Sequence, residues 1–119
     1  MKYQISKEFH FCASHCLAGL HEDHPCSRVH GHNYVVTIEL SSEHLNATGM
    51  IVDYRELEDI KNYIDIVLDH RHLNDILPFN PTAENMSKYF YELFERMHSQ
   101  ITAVNVSETP KTNARYGKS

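Results

Sequence analysis

No stretch of this sequence stays apolar for more than a few residues, which excludes a helix of the roughly 20 residues needed to cross a bilayer. The opening Met1-Lys2-Tyr3-Gln4-Ile5 lacks the charged-then-apolar order of a secretory leader, so a soluble, cytoplasmic protein is expected. Basic residues are also in short supply. Eleven Lys and Arg against sixteen Asp and Glu leave a formal charge of −5, which argues against a nucleic-acid partner. Cysteine is sparse and odd in number: Cys12, Cys16 and Cys26 cannot all pair with one another, so free thiols are expected and one is available for chemistry. Internal repeats and low-complexity segments are absent. What remains is a chain of 119 residues, 41% apolar, of the size for a single domain over 1–119 with one packed core. Its one compositional excess is histidine, with ten residues, and histidine is the commonest metal ligand.

Alternation places two strands near the start. Tyr3, Ile5, Phe9, Phe11 and Ala13 fall on odd numbers, and His15 shares their parity, although Ser14 to Gly19 has the composition of a turn. After a polar loop over Leu20 to Arg28, the even positions His30, His32, Tyr34, Val36, Ile38 and Leu40 form the apolar face of a second strand. Asp53 followed by Glu56 resembles a capping box, and Leu57, Ile60, Ile64, Val67 and Leu68 give one helical stripe. Residues Asp69 to Pro81 read as a connector. Thr82 is suited to cap a second helix, ending near Ser99, whose face is Met86, Phe90, Leu93, Phe94 and Met97. Short strands over Ile101 to Glu108 and Thr112 to Tyr116 complete the order β-β-α-α-β-β. This is an α+β fold: a four-stranded antiparallel sheet with two helices on one face and two unpaired edges that invite oligomerisation.

The histidines cluster in Cys26-Ser27-Arg28-Val29-His30-Gly31-His32. Two imidazoles at i and i+2 on a strand share a face and suit one ion, while Gly31 leaves the opposite side open. His15, on the neighbouring strand with buried parity, supplies a third nitrogen. Three histidines with an open fourth position describe a catalytic zinc site. A closed site using Cys26 with Cys12 or Cys16 is the weaker alternative, because a zinc finger needs other spacings and usually a basic surface. A cupin-type metalloenzyme requires a glutamate close behind, and Glu39 points to the other strand face. Cys26 lies in a polar loop where a thiol can act as base or nucleophile. Asp69 next to His70 can orient an imidazole for proton transfer. Glu108, on the parity of Val104 and Val106, can accept two N–H groups of a guanine-like or pterin ring. The remaining His10, His21, His24, His44 and His98 read as surface residues, and Arg28, Lys111, Arg115 and Lys118 are candidate cations for an anionic ligand.

Phe11-Cys12-Ala13-Ser14-His15, Cys26-x-x-x-His30-Gly31-His32, Leu68-Asp69-His70 with Leu73-Asn74, Pro81-Thr82-Ala83-Glu84-Asn85 and Ser107-Glu108-Thr109 together resemble the 6-pyruvoyltetrahydropterin synthase family. Three residues between Cys26 and His30 are similar to the bacterial 6-carboxytetrahydropterin synthases of queuosine biosynthesis. Cys16, directly after His15, is outside the pattern. The resemblance implies the tunnelling fold, in which trimers close their sheets into a barrel and two trimers stack as a homohexamer. It implies that His15, His30 and His32 hold zinc, that Cys26 abstracts a proton, that Asp69 and His70 relay protons, and that Glu108 anchors the pterin and joins the relay. The implied reaction converts 7,8-dihydroneopterin triphosphate to 6-carboxy-5,6,7,8-tetrahydropterin with release of acetaldehyde and triphosphate. The alternatives are a 6-pyruvoyltetrahydropterin synthase and a noncatalytic metal- or pterin-binding protein.

Overall fold

A computed structural model describes all residues 1–119 and is built on one long hairpin. Strands β1 (Tyr3–His15) and β2 (His30–Ser42) are 13 residues each and pair antiparallel from Tyr3 opposite Ser42 to His15 opposite His30. At ~3.4 Å per residue such a strand is about 44 Å long, and it sets the long axis of a molecule measuring 55 × 29 × 24 Å. The expected parity is observed. Phe9, Phe11, Ala13 and His15 of β1, with Tyr34, Val36, Ile38 and Leu40 of β2, turn to the buried face. Both strands outrun their expected ends: β1 stays extended through His15 because its partner residues on β2 begin at His30.

The helical layer covers that apolar face. A 3₁₀ turn (Tyr54–Leu57) leads into α1 (Glu58–Tyr63), which widens into a π turn (Ile64–Leu68). Asp53 accepts from the Arg55 amide at 2.9 Å and so caps the segment alone, without a reciprocal Glu56 bond. The wider turn explains one departure from the helical pattern. With the Asp69 amide bonded back to the Ile64 carbonyl, the residue returning to the buried face after Ile64 is Leu68, and Val67 is left exposed. The long helix α3 (Ala83–Met97) follows a short α2 (Leu73–Ile76). Thr82 Oγ1 caps α3 by accepting from the Asn85 amide at 3.1 Å, and Met86, Phe90 and Phe94 are fully buried, whereas Met97 in the last turn is exposed. No helix is long and apolar enough to cross a membrane.

Residues 69–81 are more than a connector. They contain α2 and β3 (Arg71–His72), which runs parallel to β1 with Ala13 opposite Arg71 and Ser14 opposite His72. With β4 (Ile101–Ser107) and β5 (Ala114–Gly117) the sheet is five-stranded and mixed, in the order β3-β1-β2-β4-β5, in place of the expected four antiparallel strands. A two-residue strand has no periodicity to read. It exists because the edge of β1 offers the Cys12 carbonyl to the His70 amide at 2.6 Å and Ser14 Oγ to His72 Nδ1 at 2.9 Å. Because β3 covers only Ala13 and Ser14, and residues 69–70 only Cys12, that edge of β1 from Tyr3 to Phe11 has no strand partner in the chain. Twenty-two buried apolar residues from sheet and helices form one core cluster.

Candidate metal centre

The hairpin register brings the three histidines together. His15 closes β1 directly opposite His30, and His32 sits opposite Ala13, one side-chain step further along the same face. Their ring centroids lie 4.5, 5.0 and 5.1 Å apart, and one ligand atom from each falls within 4.8 Å of the other two. His15 is wholly buried. Its Nδ1 lies 2.8 Å from the Pro81 carbonyl, and His30 Nδ1 lies 2.8 Å from the Arg28 carbonyl. An Nδ1–H donated to each carbonyl fixes the ring and leaves the Nε2 lone pair for an ion. Burial lowers the pKa of His15 and of His32, chiefly by desolvation, which favours the neutral imidazole a metal needs. Tyr34 packs edge-on against both rings, and desolvation together with the nearby Glu108 charge drives its phenol pKa upward, so it stays neutral.

Glu108 joins this cluster from just beyond β4. Its Oε2 lies 3.3 Å from His15 Nε2 and 3.3 Å from His32 Nε2. The segment that leaves β1 is held in place by two amide side chains. Asn74 accepts from the Cys16 amide at 2.9 Å and donates to the Cys16 carbonyl at 2.8 Å, and Asn80 does the same for Ala18 at 2.9 and 3.2 Å. No periodicity marks these clamps in the sequence. The Pro81 and Arg28 carbonyls are equally invisible there, because they act through the backbone.

Cys26 lies on a 3₁₀ turn (Pro25–Ser27), half-buried. Its amide donates to His24 Nδ1 at 3.0 Å, and its carbonyl accepts from the Leu17 amide at 2.7 Å, which ties the loop to the end of β1. His24 is therefore a cap for this turn. His98, read from sequence as a lone surface residue, contacts Asp59 with Nε2 2.8 Å from Oδ1 and bridges the end of α3 to α1. Arg115 is no free cation either, since its guanidinium reaches both carboxylate oxygens of Glu39 at 3.0 and 3.2 Å.

Asp69 and His70 form a pair of their own. Asp69 Oδ1 accepts from the Cys12 amide at 2.9 Å, and Oδ2 lies 2.8 Å from His70 Nδ1. The Cys12 amide first, and His70 second, hold the Asp69 carboxyl below the usual carboxylate range. His70 is the only non-glycine residue with positive φ, at 60°, a conformation that costs on the order of 1–3 kcal/mol. Its ring is 79% exposed. No hydrogen bond or ion pair joins this pair, or Cys26, to the three histidines.

Residues 4–119 match the family described as 6-pyruvoyl tetrahydropterin synthase. The chain belongs to this family. Among its curated relatives, a 6-carboxy-5,6,7,8-tetrahydropterin synthase of Synechocystis is 35% identical over 123 residues, covering 94% of this chain and 91% of that protein. The corresponding enzyme of Bacillus subtilis is 30% identical, covering 96% and 84%. In three dimensions, the 6-pyruvoyl tetrahydropterin synthase of Caenorhabditis elegans superposes with a TM-score of 0.86 at 26% identity, covering 100% of this chain and 97% of that one. The α+β fold of this family and its pterin-synthase chemistry thus frame the histidine cluster, which is suited to a metal.

Proposed function

We propose that the chain is a single-domain, zinc-dependent 6-carboxy-5,6,7,8-tetrahydropterin synthase acting on 7,8-dihydroneopterin triphosphate in queuosine biosynthesis. The observation that carries this reading is the triad itself: three convergent imidazoles, two of them oriented by backbone carbonyls, on a chain whose relatives in Synechocystis and Bacillus subtilis bear that enzyme's name. His15, His30 and His32 would hold the ion, and zinc is favoured by an all-imidazole donor set with room for one more ligand. When bound, it would supply Lewis acidity that makes a C–H next to a substrate oxygen easier to deprotonate.

The rest falls to the chain's own groups. Cys26, half-buried on the turn preceding His30, is assigned the role of base that removes the carbon-bound proton. Asp69 fixes the His70 ring through Nδ1, leaving Nε2 to give or take a proton at the migrating positions. Glu108 accepts N–H groups of the pterin and supports the relay. The internal redox shift needs no outside oxidant, one water is consumed, and acetaldehyde and triphosphate leave.

A second copy belongs to this proposal. His70 sits beyond Cys12, three residues from His15 and so about 10 Å away along an extended strand, with its ring turned to solvent. An imidazole placed there serves a substrate bound at another chain's histidines more readily than at its own. The unpartnered edge of β1 supports assembly through the sheets, and a homohexamer built from two trimers is the form proposed. The enzyme is assigned to the cytoplasm, with a small-molecule pterin as its partner.

Incubation of the purified protein with 7,8-dihydroneopterin triphosphate, followed by mass analysis, tests the reading. Equal amounts of 6-carboxytetrahydropterin and acetaldehyde are expected. A 6-pyruvoyl product would reassign the branch, and unchanged substrate with zinc bound would leave a noncatalytic binder.

A further inference from the structure

The Glu108 carboxylate makes a contact that hydrogen bonding does not explain. Its Oε2 stands 3.3 Å from Nε2 of both His15 and His32, yet His15 Nε2, fully buried, has no hydrogen-bond partner. With the His15 proton on the Nδ1 that faces the Pro81 carbonyl, Nε2 has no N–H to offer the carboxylate, and two lone pairs face each other. Such an orphaned buried nitrogen costs about 1–3 kcal/mol unless something else occupies its lone pair. Tetrahedral zinc with bonds of about 2.0–2.1 Å holds its ligand atoms about 3.3–3.4 Å from one another. The two measured separations match that edge length.

Charge points the same way. Glu108 contacts no Lys or Arg, and the only groups within ion-pair distance are these two imidazoles. With no Lys or Arg beside it, this partly buried carboxylate has a place for a cation at the point that both nitrogens and the oxygen surround. His30 makes no such contact with Glu108, so it is the ligand that must close in. On its other side Glu108 borders a cavity of about 360 Å³ between the start of α3 and the β4–β5 turn, with Ser87, Asn113 and Tyr116 in its walls. Its side chain is 26% exposed and has room to turn.

We propose that Glu108 is a displaceable fourth ligand, closing the metal's shell while no substrate is present and swinging into the adjoining cavity when substrate enters. The inference rests on the metal-binding reading of the triad. It gives one residue two successive tasks: excluding water from the ion at rest, and then accepting the N–H groups of the bound heterocycle. The exchange is a swap of oxygen ligands with no change in oxidation state.

The test uses the intact protein loaded with Co²⁺ in place of zinc, comparing wild type with Glu108→Gln and Glu108→Ala. With the carboxylate bound there is no metal-bound water to ionise, so the wild-type visible spectrum should stay constant from about pH 6 to about pH 9, a range that brackets the pKa near 7 of water in open three-ligand sites. In Glu108→Ala a water enters, and the spectrum should shift with a single ionisation. Zinc affinity should fall by about 10-fold or more in both variants. Glu108→Gln, of the same size, guards against a folding defect, and its circular dichroism should match wild type. A wild-type spectrum that titrates like that of Glu108→Ala, or unchanged zinc affinity in both variants, would overturn the proposal. Failure of the wild type to bind Co²⁺ at all would instead refute the triad as a metal site.

Discussion

The histidine triad and the Asp69–His70 pair both meet the sheet near the end of β1, and they differ in almost every physical respect. The triad lies on the core face, with His15 wholly buried, its ring locked by a backbone carbonyl and its charge suppressed by desolvation. The pair lies at the sheet edge, with His70 mostly exposed and its backbone held at positive φ by a bond to Cys12. One arrangement suits a fixed, neutral ligand. The other suits a group that must meet a reactant and change protonation, and strain at such a position is tolerated because two bonds to β1 over-determine it. Under the proposed function the contrast separates metal holding from proton transfer, and it can be broken experimentally at either end.

The largest difference is expected between alanine variants of the two regions. His15→Ala removes a buried ring and leaves the Pro81 carbonyl unpaired, so zinc should be lost and stability should fall by about 2–4 kcal/mol. His70→Ala and Cys26→Ala should keep zinc and fold while turnover drops on the order of 10²–10⁴-fold. Metal analysis, denaturant melts and turnover on the same preparations distinguish these outcomes. If Cys26→Ala sheds zinc in step with activity, the thiol is a ligand and not the base.

A smaller effect isolates the strain. His70→Gly should be more stable than His70→Ala by about 1 kcal/mol, because only glycine adopts positive φ without a steric penalty. Both variants lack the imidazole, so both should be equally inactive. Equal melting of the two would mean the backbone relaxes there at no cost.

Smallest is a pH effect. Asp69 has its pKa lowered by the Cys12 amide and by His70, so its contribution to stability is present above the ordinary carboxylate pKa near 3.8 and is lost as pH falls through the depressed folded value. Asp69→Asn should therefore narrow its stability gap to wild type as pH drops below about 4. A gap that is constant down to acid pH would show that the ionised carboxylate is not what holds the corner.

How much of this the sequence reveals follows the same division. Period-two alternation reports on residues that face a core, so His15, His30 and His32 could be placed on one face before any coordinates. Glu108 was legible by the same parity, although its approach to the histidines was not, since it depends on where β4 ends relative to β2. The corner at residues 69–76 escaped because β3 is two residues long and is made by backbone bonds to Cys12, Ala13 and Ser14. Val67 was misplaced because a π turn shifts the helical face by one residue. The Asn74 and Asn80 clamps pair with backbone 58 and 62 residues away, a separation that no local pattern encodes.

The proposed separation of tasks, with one copy holding the metal and another presenting His70, is tested most directly by co-expressing His32→Ala with His70→Ala. Each variant alone should be inactive, the first for want of metal and the second for want of the proton-transfer group. Mixed assemblies contain interfaces where an intact triad faces an intact His70, so turnover should return in the co-expressed sample. A mixture as inactive as its two parents, with mixed assemblies verified by mass, would contradict the sharing of the site between chains.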